Sequence, residues 1–284
     1  MILTVNHETV YRYEHSVAHS TQYLRLTPQS MEGQKVLEWR LDLPTPAVPS
    51  SDAFGNLCHV MTLDMPHREI RIRAVGIVET DDGERTCTSG GDPLPFLRST
   101  ALTAMSPELA EFIATLGKAP MTLASLDKLA MAIETAVVFS PGSTHAGSTA
   151  ADAFAARQGV CQDHTHIFIA CCRHMGVPAR YVSGYVHSPG HADNHMATHA
   201  WAEAWLDDRW WSFDVVNRSR AGEHHLKLAV GMDYLDACPV RGVRRGGGGE
   251  VMQAEVRVMR AQGDAPAEVT ENSISQQQQQ QQQA

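Results

Sequence analysis

Between residues 36 and 43 the chain alternates: Leu37, Trp39, Leu41 and Leu43 fall on one side, Glu38, Arg40 and Asp42 on the other, and Pro44 stops the run. A period of two predicts a strand with one buried and one wet face. Shorter runs of strand character cover residues 3–13, 22–26, 57–63 and 70–78, with turn sequences between them such as Phe54-Gly55-Asn56 and Asp81-Asp82-Gly83. Several short strands with regular turn signals predict a β-sandwich over residues 1–100. The acidic turn at 81–84 lacks the ligand spacing of a calcium loop and reads as a hairpin turn.

Around residues 90–98 the pattern dissolves into Gly and Pro, and a helical period takes over. Ser106-Pro107-Glu108 is a helix start, with a capping hydroxyl, Pro at the first helical position and an acid facing the dipole. Leu126, Leu129, Ala130, Ile133, Ala136 and Val137 recur at helical spacing, and a third helix over 149–158 should end at Gly159. A further helix begins at Cys161, carries Ile167, Phe168, Cys171 and Met175 on one face, and stops at Gly176 and Pro178. Residues 198–205 alternate again, Asp207-Asp208 forms a polar turn, and 210–215 returns as the second arm of a hairpin. Residues 251–258 form a closing strand with Val256 and Val258 on one face. The expected division is a β-rich domain over 1–100, an α+β core over 101–260, and a polar tail over 261–284 that ends in an uninterrupted Gln run at 276–283. Such a tail cannot bury enough apolar surface to offset its ordering entropy and reads as disordered.

Composition narrows the possible partners. A net charge of −9 argues against nucleic acid, which demands concentrated Lys and Arg. The longest apolar candidate, 167–172, falls far short of the roughly 18 residues that span a bilayer. The first residues lack the basic start and cleavage site of a secretory signal, so a cytoplasmic protein is expected. In that compartment the six cysteines, with no C-x-x-C pair among them, are expected to be free thiols, most of them buried.

One cysteine stands apart. Cys161 follows Gly159-Val160 at the mouth of a helix, where unpaired N–H groups and the positive end of the macrodipole favour thiolate. The same N–H groups can stabilise an oxyanion when that thiolate attacks a carbonyl. Alone, Cys161 would read as a structural thiol, His199 as a satisfied histidine and Asp214 as a turn-flanking acid. Register joins them. A two-residue loop at Asp207-Asp208 pairs Leu206 with Arg209, so Trp201 faces Asp214 and His199 becomes its diagonal neighbour, roughly 7–8 Å away between backbones. A thiol, an imidazole and a carboxylate in that order form a nucleophile, its base and the group that orients the base.

At these residues the chain resembles the transglutaminase-like superfamily, in particular its bacterial two-domain members. The resemblance rests on Gly159-Val160-Cys161-Gln162-Asp163, on 176–185, on His199-Ala200-Trp201-Ala202-Glu203, on Phe213-Asp214, and on Gly231-Met232-Asp233-Tyr234 with Pro239-Val240-Arg241-Gly242. It implies a papain-like α+β core, a helix-borne Cys packed on an antiparallel sheet, preceded by the β-sandwich. It further implies Cys161 as nucleophile, His199 as base and Asp214 as orienter. The thioester could pass to water or to an amine, hydrolysis being the expected outcome, with a peptide or amide substrate, including a protein glutamine or isopeptide. No cofactor and no metal are expected, and the oligomeric state is not set. Gln162, Trp201 and Tyr185 are candidates for substrate or oxyanion contacts, against capping and core packing as competing readings. The chain departs from the pattern at Val215-Val216-Asn217, where Pro-Thr is common, and at His164, where an aromatic is common.

Two rivals are weighed. A metal hydrolase could draw on His191, His195 and His199, with His164 and His166 nearby, although the segment before His199 reads as a loop. A non-catalytic binding module on the same fold is the other.

Overall fold

The computed structural model describes residues 1–83, 86–87, 91–117, 121–187 and 198–261; the expected disordered tail from 262 onward lies outside the described residues. The first sheet is built on one long strand. β1 (Ile2–Leu24) is flanked by β5 (His67–Thr80) and β4 (Leu57–Leu63), with β2 (Gln34–Asp42) outside β5 and β3 (Ala47–Ser51) outside β4. Odd residues from Leu3 to Tyr13 are buried, whereas Ser20, Gln22 and Leu24 are buried beyond Val17. The phase reverses at an irregularity where Val17 pairs with Gly246 and His19 with Arg245. Hence the two short strands expected at 3–13 and 22–26 are one bent strand, its bend carrying the exposed Glu14-His15-Ser16.

The alternation expected over 36–43 is likewise interrupted. Val36 pairs with Val78 and Glu38 with Ile77, so Leu37 is the extra residue of a bulge and lies exposed at 47%. Trp39 and Leu41 face the core, and the Trp39 ring covers Gly76, where an added Cβ would come within 2.3 Å of the indole.

The second sheet holds the candidate chemistry. β6 (Thr86–Cys87) is its edge, a short 3-10 turn at Leu94–Leu97 buries Phe96, and two helices follow. α1 (Pro107–Thr115) starts at Ser106, whose Oγ accepts the Leu109 N–H at 3.2 Å; α2 (Leu123–Ala136) is capped by Thr122 and buries Leu126, Leu129, Ala130 and Ile133. β7 (Val138–Phe139) pairs in parallel with β8 (Gln158–Gly159), and α3 (Ala150–Ala156) lies between them. The third helix therefore stops at Arg157, which takes the left-handed conformation at φ 55°, and Gly159 belongs to β8. α4 (Cys161–His174) ends before Gly176 at φ 78°. It packs on an antiparallel sheet ordered β12-β9-β10-β11-β6, with β9 (Ala179–Val186), β10 (Thr198–Leu206), β11 (Arg209–Phe213) and β12 (His225–Gly231). The short α5 (Tyr234–Ala237) leads into β13 (Val240–Gly246) and β14 (Glu250–Arg260).

Those last two strands do not extend the second sheet. Both pair with β1, Leu24 opposite Val240 and Val5 opposite Val258, so the first sheet takes strands from both ends of the chain rather than from residues 1–100 alone. Val256 and Val258 do share a buried face, in one core with Leu3, Val5, Ile167, Phe168 and Phe213. Each such apolar side chain contributes about 1.5–3 kcal/mol on burial. That shared core seats the first sheet against α4, as the α+β reading requires. No helix among the described residues is long and apolar enough to cross a membrane.

Candidate active site

The mouth of α4 is capped from within. Val160 is extended and has no capping side chain, so Asp163 folds back, accepting the Val160 N–H at 2.7 Å and the Thr144 hydroxyl at 2.6 Å on Oδ2. Gly159 lies against that carboxylate; a Cβ there would stand 2.7 Å from the Asp163 Cβ. The glycine before the thiol is therefore space for Asp163. Cys161, the first helical residue, is partly exposed, whereas Cys171 and Cys172 are fully buried. Burial pushes the Cys171 thiol up to about 12 and the Cys238 thiol up to about 11, so these cannot be nucleophiles near neutrality.

The hairpin has the register expected from its loop. Asp207 and Asp208 both take positive φ, 51° and 58°, and Leu206 pairs with Arg209, continuing to Ala202 opposite Phe213. His199 and Asp214 then meet: Nε2 donates to Oδ2 at 2.8 Å between nearly inaccessible side chains. Burial opposes charge on the His199 ring, but the Asp214 carboxylate and the Cys161 sulfur outweigh it and push the ring up to about 10. Burial would raise Asp214, yet His199 and His225 hold it far below the usual carboxylate range. The other His199 nitrogen, Nδ1, has no hydrogen-bond partner at ordinary distance among the described residues, and the Cys161 thiol lies near enough to the ring to act on it. Cys161 and His199 line the same cleft.

Asp214 gathers more donors than His199. His225 Nε2 lies 2.9 Å from the same Oδ2, Asn217 Nδ2 2.7 Å from it, and the Asn217 N–H 3.3 Å from Oδ1. The departure at 215–217 thus supplies, through Asn217, two hydrogen-bond donors to the carboxylate. His225 escaped the sequence reading. Its contact needs the pairing of β12 with β9, which no local pattern announces. His199, Asp214 and His225 are the group whose donor atoms, within 4.8 Å of one another, could hold a metal ion among the described residues. Both rings direct Nε2 to Asp214 Oδ2. Of the histidines named for a metal, His164 places its ring nitrogens on the Val160 and Val137 carbonyls, His166 accepts the Tyr234 N–H, and His191 and His195 lie outside the described residues.

The cleft encloses about 110 Å³. Val160, Cys161 and Gln162 line it together with His7 and Thr9 of β1 and Met252 and Ala254 of β14. Gln162 is buried, its Nε2 donating to the Ala146 carbonyl at 3.3 Å. Trp201 and Tyr185 are not on the lining. Trp201 is 1% exposed, packs on Gly184 and meets His225 edge-on at 5.3 Å; Tyr185 is fully buried, its hydroxyl 2.7 Å from His7 Nδ1. Core packing wins for both because neighbouring strands cover their rings. Arg180 joins a buried ion group, donating to Glu203 at 2.6 Å beside Lys227 and stacking 4.1 Å over Trp210.

Comparison with known proteins agrees with this architecture. Residues 3–79 match the model of the bacterial transglutaminase-like N-terminal region, and residues 110–215 that of the transglutaminase-like superfamily. An uncharacterised protein of Mycobacterium tuberculosis is 30% identical over 294 residues, covering 92% of this chain and 93% of its own. One from Mycobacterium leprae is 29% identical over 277 residues, covering 91% and 98%. A solved structure described as a candidate cysteine protease of Cytophaga hutchinsonii superposes with a TM-score of 0.74 at 21% identity, covering 97% of this chain and 96% of that one. The chain belongs to the transglutaminase-like superfamily, with the N-terminal region of its bacterial members.

Proposed function

We propose that the protein is a thiol-dependent acyl-transfer enzyme, hydrolytic in its main reaction, acting on amide or peptide bonds. One observation carries the reading: His199 is bonded to Asp214 through Nε2 and shares a cleft with the partly exposed Cys161 thiol at a helix mouth, which acts on its ring. The Cys161 proton passes to Nδ1, and the thiolate attacks the carbonyl carbon. The oxyanion forms where the N–H groups of the first turn of α4 converge. As the C–N bond breaks, the imidazolium returns its proton to the departing amine, leaving a thioester on Cys161. Water then gives a proton to His199, attacks the thioester, and frees the acid and the thiol. Asp214 steadies the imidazolium throughout. Transfer to an amine in place of water uses the same groups.

A library of peptide amides, incubated with wild type and Cys161→Ala in the presence and absence of a primary amine, tests this. Ammonia release or backbone cleavage by wild type alone supports the hydrolase, and amine incorporation supports the transferase. Equal turnover by Cys161→Ala defeats both. We further propose a cytoplasmic protein, a reading supported by the unbridged Cys58, Cys161, Cys171, Cys172 and Cys238.

A further inference from the structure

His225 bonds the same Asp214 oxygen as His199 and is not among the residues that line the cleft. Its ring is almost fully buried, at 5% exposure, and both nitrogens are engaged. The Gly222 N–H points at Nδ1 from 3.3 Å, so Nδ1 must accept, and the proton of the neutral ring sits on Nε2, which donates to Asp214 Oδ2 at 2.9 Å. The His225 N–H returns a bond to the Gly222 carbonyl at 2.9 Å, and Trp201 closes the ring's flank at 80°. These contacts hold the imidazole in one tautomer. Among the described residues, the charged groups next to it include Asp214 and His199, with Lys227, two residues along the strand, bonded to Glu203.

Oδ2 thereby receives three N–H donors, from His199, His225 and Asn217. An oxygen shared among three donors is a weaker base toward each of them than one serving His199 alone. This matters because His199 must hold a proton as the ion pair forms and then surrender it to the departing amine. A carboxylate that grips the imidazolium too tightly would aid the first step and slow the second.

We propose that His225 is a positioning residue that moderates Asp214: its Nε2–H fixes the carboxylate and draws off basicity, so that His199 gives up its proton at the leaving group. The inference rests on the thiol reading of the site and names a residue which that reading does not require.

Two variants separate the donor from the ring. His225→Gln can present an amide N–H where Nε2–H stood, and His225→Leu cannot. The pH profile of kcat/KM for a peptide amide is measured alongside the rate of Cys161 alkylation, with melting temperature as the control for folding. The Leu variant is expected to lose about ten-fold in kcat/KM and to shift the basic limb upward by at least about half a pH unit, while Cys161 still alkylates; the Gln variant should restore the wild-type limb. Should the Leu variant not fold, nitrogen NMR of wild-type His225 takes its place, and a neutral ring carrying its proton on Nδ1 overturns the proposal. Superimposable basic limbs in folded Leu variant and wild type overturn it as well. An unreactive Cys161 in wild type would instead remove the thiol reading beneath it.

Discussion

His199 and Asp214, fifteen residues apart, are brought to 2.8 Å by a two-residue turn that fixes the register of β10 and β11. The carboxylate is inaccessible to solvent, so its attraction for the imidazole is weakly screened. Replacing Asp214 by Asn keeps the shape but offers His199 an amide whose N–H cannot accept. We expect amide turnover to fall by about 10³–10⁴-fold, as loss of the orienting acid does in comparable triads. Steady-state kinetics with active-site titration checks this.

The same pair makes stability depend on pH. Asp214 is held below its ordinary 3.8, so its contribution is present above about pH 4 and is lost as pH falls through the lower native value. His199 is raised from 6.5 to about 10, so its contribution is full below pH 6.5 and disappears as pH climbs through about 10. The stability lost in Asp214→Asn should therefore be greatest at pH 4–6.5 and shrink toward pH 10. Urea unfolding of both proteins at pH 5, 7.5 and 10 measures it.

Gly159 tests the helix cap. An alanine Cβ would collide with the Asp163 side chain 2.7 Å away, and that side chain caps Val160. Gly159→Ala should cost about 1–3 kcal/mol and lower the melting temperature by several degrees. Calorimetry decides the point, and an unchanged melting temperature would show that Asp163 can move without loss.

Glu203 lies buried between Arg180 and Lys227, which hold it down at about 2 against the opposing effect of burial. Glu203→Gln removes the buried anion that Arg180 and Lys227 share and should destabilise by about 3–5 kcal/mol. Chemical denaturation checks it, with the circular dichroism spectrum reporting whether β9, β10 and β12 remain assembled.

Much of the site was legible because it is local. Two residues between alternating arms set the hairpin register, and a glycine ahead of a helical period placed Cys161 at its mouth. The bend in β1, the bulge at Leu37 and the pairing of β13 and β14 with β1 were not legible, since each depends on partners far along the chain. Tyr185 and Trp201 misled for the same reason: sequence marks an aromatic on a strand, but only the packed neighbours decide whether it meets a cleft. His225 needed a strand pairing that joins residues some forty positions apart.

Selective alkylation of Cys161 is the most direct test of the central claim. Folded protein is treated briefly with iodoacetamide across pH 5–9, and each cysteine is quantified by peptide mass spectrometry. The account predicts that Cys161 is alkylated selectively near neutral pH, that the buried Cys171, Cys172 and Cys238 stay unmodified, and that His199→Ala slows the reaction of Cys161. Equal labelling of Cys161 and Cys238, or a Cys161 rate unchanged in His199→Ala, would contradict it.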